Sequence, residues 1–182
     1  MRRSIIFPLI SFLLLFAVAS RGQTGTPAPA GQILNAALKE ASTSKKNVFV
    51  VFRATWCSWC KRLDAALTDP EVKNVVDSSY VVTHLDVMER GDKEQTVENP
   101  GGREIMNKLG GEKSGLPFYA ILDAAGKKLA DSNVMPGNTN IGFPGSPEEI
   151  AAFEKILKQT APRMTDQNRA VVTRHLGVKH AD

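Results

Sequence analysis

Val48-Phe49-Val50-Val51-Phe52-Arg53-Ala54-Thr55-Trp56-Cys57-Ser58-Trp59-Cys60-Lys61 is the segment from which the architecture of this chain is most directly read. Its first five residues form a continuous β-branched and aromatic run. A strand with one wet face alternates apolar and polar residues, whereas a strand covered on both faces need not. Residues 48–52 are therefore expected to form a central strand of an α/β sheet. Arg62 to Leu67 follow with helix-forming character, so Cys57 and Cys60 fall where a strand turns into a helix. They are the two cysteines among 182 residues. Two cysteines placed at random would lie three apart about once in ninety chains of this length, so the spacing is informative.

Upstream of this segment, Ile33, Leu34, Ala37, Leu38 and Ala41 recur at helical spacing and predict an amphipathic helix over 32–43. Residues 20–31, which include RGQTGTPAPAG, are small, polar, Pro or Gly and read as a flexible linker with nothing to join a core. Residues 1–19 read as a secretory signal. Arg2 and Arg3 supply the positive start, Ile5 to Ala19 is almost wholly apolar, and Ala17-Val18-Ala19 gives the small-x-small cleavage pattern ahead of Ser20. The alternative is an uncleaved anchor, but the run is shorter than the ~20 residues a spanning helix needs. Export would place the mature chain in the periplasm or outside the cell, where disulfides persist, with no stable membrane association after cleavage.

Downstream, Asp69-Pro70-Glu71 reads as a cap, a helix-starting proline and an acidic first turn. Tyr80 to Asp86 predicts a second strand. Residues 87–102, rich in charge, read as a solvated loop with no site in it, and a short helix is expected over 103–109, ending at Gly110-Gly111. Residues 118–122 and 127–131, joined by Asp123-Ala124-Ala125-Gly126, predict a β-hairpin. After a loop rich in Gly, Pro and Asn, Ser146-Pro147-Glu148-Glu149 opens a helix as a capping box. Thr165 and Gly177 bracket a last short helix. The expected organisation is one domain over 32–162, a mixed sheet with helices on both faces, and a C-terminal helical extension and tail over 163–182.

Composition excludes several classes of function. With 42% apolar and 23% charged residues the chain is neither disordered nor a polytopic membrane protein. Its formal charge of +4 falls once Arg2 and Arg3 are removed, leaving 21 basic against 19 acidic residues. No run of Lys and Arg interleaved with aromatics occurs, so nucleic acid is not an expected partner.

The chemistry resides in the cysteine pair. The thiolate is the attacking species in disulfide exchange, and a helix N-terminus favours it through unpaired N–H groups and the positive end of the helix dipole. Cys57 is placed to be that nucleophile. Cys60, one turn further in, can attack the mixed disulfide that Cys57 forms with a client. Three other uses of the pair compete. A structural staple closing so small a ring would remove only ~2 kcal/mol of unfolded-state entropy. Half of a zinc site would need partners, yet there is no second C-x-x-C and the only histidines are His84, His175 and His180. A copper-handling role suits a soft thiolate pair but finds no Met or His cluster. No metal and no cofactor are expected.

The segment Phe52-Arg53-Ala54-Thr55-Trp56-Cys57-Ser58-Trp59-Cys60-Lys61 resembles the strand-to-helix active-site stretch of the thioredoxin superfamily, and Leu116-Pro117 ahead of 118–122 fits that family's proline landmark. The likeness runs over about 32–161 and is closest to the exported branch that includes the terminal domain of bacterial thiol:disulfide interchange proteins. It implies a thioredoxin fold, a cis bond before Pro117, redox-active Cys57 and Cys60, protein thiols and disulfides as substrates, and an upstream thiol electron donor. The alternative on the same fold is a peptide-binding or chaperone module. Trp56 is expected to pack beside the disulfide, Trp59 to be partly exposed, and Trp56, Trp59, Leu116 and Pro117 to line the client site, with Phe143 approaching it. Two departures from the family pattern stand out. The place of the family's buried acid, six positions before the first cysteine, holds Val51, and the central dipeptide is Ser58-Trp59.

Overall fold

The computed structural model describes residues 26–177. Helix α1 (Ala30–Ser44) leads to strand β1 (Asn47–Arg53), which turns into α2 (Ser58–Thr68), and α3 (Pro70–Asp77) returns the chain to β2 (Tyr80–Asp86). Two short helices, α4 (Lys93–Thr96) and α5 (Gly102–Met106), precede a π-helical turn over Asn107–Gly111. Strands β3 (Phe118–Leu122) and β4 (Lys128–Asp131) are followed by β5 (Asn133–Met135) and β6 (Thr139–Asn140), then by α6 (Pro147–Thr160) and α7 (Asp166–Gly177).

The main sheet has the order β2-β1-β3-β4, with β1 parallel to β2 and antiparallel to β3. Such a central strand has a helical layer on each side, which is why 48–52 carries no polar residue. Val48 to Phe52 are all fully buried, each stabilising the fold by roughly 1.5–3 kcal/mol relative to an exposed side chain. Their alternation divides the interior. Phe49 and Val51 join α2, α3, α6 and α7 in one core, while Val48, Val50 and Phe52 join α1, Met106 and Phe118 in the other. The expected mixed sheet flanked by helices, with an added C-terminal helix, is the observed architecture.

Local signals place the helix ends. The Asp69 carboxylate accepts the Glu71 N–H ahead of Pro70. Ser146 and Glu149 exchange side-chain-to-backbone hydrogen bonds as a full capping box. The Thr165 hydroxyl accepts the Asn168 N–H at the start of α7.

Four expectations need correction. The first helix starts at Ala30, which is fully buried and donates its N–H to the Pro100 carbonyl, so the end of the linker stretch does join the core. Residues 87–102 are a solvated loop only in part, over the exposed stretch 90–96. Val87 and Asn99 are buried, and Asn99 bonds both backbone groups of Asp86 and donates to the Ala28 carbonyl. The helix expected over 103–109 stops as α-helix at Met106 and opens into the π turn, whose Gly111 lies so close to Met106 and Phe118 that a Cβ would come within 2.6–2.7 Å of them. Part of the Gly, Pro and Asn-rich loop forms the two-stranded β5–β6 sheet. The signal sequence assigned to 1–19, the first half of the linker (20–25) and the tail after Gly177 lie outside the described residues.

Candidate functional site

The site forms where β1 ends. Ala54 to Trp56 leave the sheet, and Cys57 becomes the N-cap of α2 in extended conformation, its sulfur accepting the Cys60 N–H at 3.1 Å. A sulfur at that position meets one of the helix's otherwise unpaired donors. The two cysteines are joined in a disulfide. Cys57 is 4% exposed and Cys60 1%, and both pack with Ala54 and with the half-buried Leu116. The Leu116–Pro117 peptide bond is cis. Three of the six residues singled out from the sequence, the cysteines and Leu116, thus meet at one point, and Pro117 follows Leu116 in the chain.

The two tryptophans flank it on the surface. Trp56 is 41% exposed, donates its indole N–H to the Met88 carbonyl, and lies under the Arg90 guanidinium at 4.0 Å from its ring centre. Trp59 is 51% exposed and stacks on Phe143 with ring centres 5.9 Å apart, with the Arg62 guanidinium 4.7 Å from its ring. Cation–π contacts of this kind, at exposed sites, contribute about 0.5–1 kcal/mol each. A groove of about 1050 Å³ opens beside them, bounded by Trp59, Leu116, Pro117 and Phe143 and extending along β6.

Glu89 is the residue that sequence reasoning missed. It is 4% exposed, and its carboxylate accepts the Thr55 N–H at 2.6 Å and the Thr55 hydroxyl at 2.8 Å, two residues before Cys57. Its own N–H goes to Glu98, while Lys93 donates to the Thr55 hydroxyl. The 87–102 segment therefore braces the turn that presents the cysteines. One acidic residue among many in a charged stretch gives no sequence signal for this role.

A second polar cluster lies beside Val51. Asp64, one helical turn beyond Cys60, is 3.0 Å from His84 Nε2 and accepts from Arg53 at 2.6 Å, and Arg53 also donates to Asp86 at 3.0 Å. Burial alone would push the Asp64 carboxyl up, but His84 and Arg53 outweigh it and hold it below the ordinary value. Burial likewise opposes the Arg53 charge, and Asp64 and Asp86 more than compensate. On the other side of Val51 in the sheet, Tyr119 is fully buried. Its hydroxyl has no hydrogen-bond partner among the described residues, and burial, reinforced by the Glu149 charge, pushes the phenol well above its usual range. Among the described residues no group of three or more His, Cys, Asp or Glu side chains is placed to hold a metal ion. No helix among them is long and apolar enough to cross a membrane.

A β1–α2 junction carrying C-x-x-C, faced by a cis-proline loop on a mixed sheet, defines a thioredoxin-fold protein. The chain belongs to the thioredoxin-like family, whose model matches residues 30–124. Among solved structures it is similar to a disulphide isomerase from Xylella fastidiosa Temecula1, at 19% identity over 82% of this chain and 89% of that one, with a TM-score of 0.50. It also matches a DsbH oxidoreductase at 19% identity over 79% and 90% of the two chains, TM-score 0.48. The C-terminal domain of DsbD from Neisseria meningitidis in the oxidised form matches at 23% identity over 58% and 84%, TM-score 0.43. No curated protein matches the chain.

Proposed function

We propose that this protein is a thiol:disulfide oxidoreductase acting on protein disulfides, with Cys57 as the attacking sulfur and Cys60 as the resolving one. The observation that carries the reading is the seating of Cys57 at the N-cap of α2, with its sulfur receiving the Cys60 N–H. A donor aimed at that sulfur stabilises the anion more than the thiol.

In the reduced protein the Cys57 thiolate attacks one sulfur of a client disulfide. The other client sulfur leaves as a thiolate and takes up a proton, and a mixed disulfide joins Cys57 to the client. Cys60 then gives up its proton and attacks the Cys57 sulfur. The client's second sulfur departs as a thiolate and the Cys57–Cys60 bond closes, so two electrons have passed from the cysteine pair to the client. An upstream dithiol donor supplies the electrons for the next cycle. Reduction is the proposed direction. The Ser58-Trp59 dipeptide sets the donors around the sulfurs, and every ~30 mV of potential is a factor of ten in that equilibrium.

Trp56, Trp59, Leu116 and Pro117 are proposed as the client surface. Leu116 would offer main-chain groups to an extended client strand, which suits broad specificity because main-chain pairing reads no side chain. The signal-like residues 1–19 support a periplasmic or secreted location. The groove beside the disulfide favours a second reading, a peptide-binding or chaperone module in which the disulfide is incidental.

Turnover separates the two. With a small dithiol as donor, the purified protein is expected to reduce insulin, Cys57→Ser to fall to the uncatalysed rate, and Cys60→Ser to accumulate a mixed disulfide. Binding of unfolded peptide without any turnover would establish the module instead.

A further inference from the structure

The small β5–β6 sheet has no part in the chemistry described so far, yet it holds the segment that leads to Pro117. Asn133 and Asn140 are register partners across that sheet. Asn133 donates to the Gly110 carbonyl at 2.8 Å and accepts from the Ser114 hydroxyl at 2.8 Å. The Asn140 side-chain NH2 donates to the Gly115 carbonyl at 2.8 Å and to the Pro117 carbonyl at 3.0 Å. Its side-chain oxygen accepts the Gly142 N–H at 3.0 Å. That turn needs Gly142 at φ +55°, and it carries Phe143 onto Trp59.

One amide thereby holds the carbonyls on either side of Leu116 and the turn that braces Trp59. Between those two held carbonyls, neither the N–H nor the C=O of Leu116 has a hydrogen-bond partner among the described residues. Backbone groups left unpaired beside a groove are the requirement for adding an extended strand.

We propose that Asn140 is a positioning residue for polypeptide clients: it holds the Gly115–Pro117 segment so that the open main-chain pair of Leu116 can receive an extended stretch of the client beside its cysteine. The proposal deepens the reading of the site as a protein-disulfide oxidoreductase and rests on it. A polypeptide client uses Leu116, whereas a small aromatic disulfide needs only access to Cys57. Asn140 therefore sets the preference for polypeptides over small disulfides. Loss of its donor would leave two carbonyls unheld and the Leu116 pair in several orientations, which weakens client binding and leaves the sulfur chemistry in place.

The test compares wild type with Asn140→Asp, which keeps the acceptor for Gly142 and removes the donor. Two substrates are used: a disulfide-linked peptide with extended flanks, and 5,5′-dithiobis(2-nitrobenzoate). The expected result is that KM for the peptide rises about tenfold with kcat little changed, so that the ratio of kcat/KM values shifts about tenfold against the peptide. An unchanged ratio overturns the proposal, whether neither substrate or both lose rate. A second measurement does not depend on the variant folding. With wild type, N-methylation of the client main chain next to its cysteine should raise the peptide KM about tenfold, and no effect would equally overturn the proposal. Failure of the underlying redox reading looks different, since wild type would then turn over neither substrate.

Discussion

Val51 sits on the central strand with Tyr119 and His84 as its register partners. The Cys60 thiol has to lose a proton before it can attack, and a valine neither accepts that proton nor places a second negative charge near the sulfurs. In the proposed mechanism, release of the mixed disulfide therefore depends on hydroxide or a water path. Val51→Asp would put a carboxyl into a fully buried position, so it is expected to cost about 3 kcal/mol of stability. The same change should speed release near neutral pH by supplying a base. Rapid mixing of the client mixed disulfide, followed across pH in wild type and variant, measures this, and denaturant unfolding measures the stability cost. Superimposable pH profiles would mean that another group already takes the proton.

The connection between β2 and α5 is tied into the fold by its polar side chains. Asn99, buried within it, accepts the Asp86 N–H at 2.7 Å, donates its own N–H to the Asp86 carbonyl at 2.8 Å, and donates its side-chain amide to the Ala28 carbonyl at 3.0 Å. It thus joins the end of β2 to the approach of α1, while Glu89 in the same connection reaches the turn before Cys57. Asn99→Ala would leave the Asp86 N–H and the Ala28 carbonyl without those partners. A fully buried backbone group left unpaired costs about 1–3 kcal/mol, but Asp86 is only half-buried and Ala28 is exposed, so water can replace part of the loss. The expected result is a drop of about 1 kcal/mol in urea unfolding, read as a lower midpoint with an unchanged slope. A change below about 0.5 kcal/mol, the ordinary range for surface positions, would restore the view of 87–102 as a free loop.

Over the whole molecule, both tyrosines of the chain lie in the core formed by α2, α3, α6 and α7 against the sheet. The Tyr80 hydroxyl is 2.6 Å from Thr160 Oγ1, tying β2 to the last turn of α6, and burial pushes its phenol up to about 12. A phenol whose value is raised on folding stabilises the protein fully below its ordinary value of 10.0 and loses that contribution as pH rises through 10 toward 12. Tyr119 acts in the same direction. Wild type is therefore expected to lose on the order of 1 kcal/mol more stability than Tyr80→Phe between pH 9 and pH 11. Ultraviolet titration of the folded protein should show no phenolate step near pH 10. A step there would place at least one of the two rings in water. The parts of this molecule that the sequence alone determined are those whose causes are local. The unbroken apolar run of 48–52, the C-x-x-C at its exit, the Asp69-Pro70 and Ser146 to Glu149 caps, and the two short strands flanking Gly126 each carry their signal within a few residues. The thioredoxin-like assignment follows from such local signals together with Leu116-Pro117. Tertiary structure alone decided which polar residues were buried and what they held. Glu89 could not be told from its charged neighbours, nor Asn99, Asn133 and Asn140 from ordinary loop asparagines. Their partners are backbone groups or side chains up to 71 residues away, the longest span being Asn99 to Ala28. A hydrogen-bonding side chain acquires a structural role only when folding removes water from it and supplies a partner in its place, and no periodicity along the chain encodes that event.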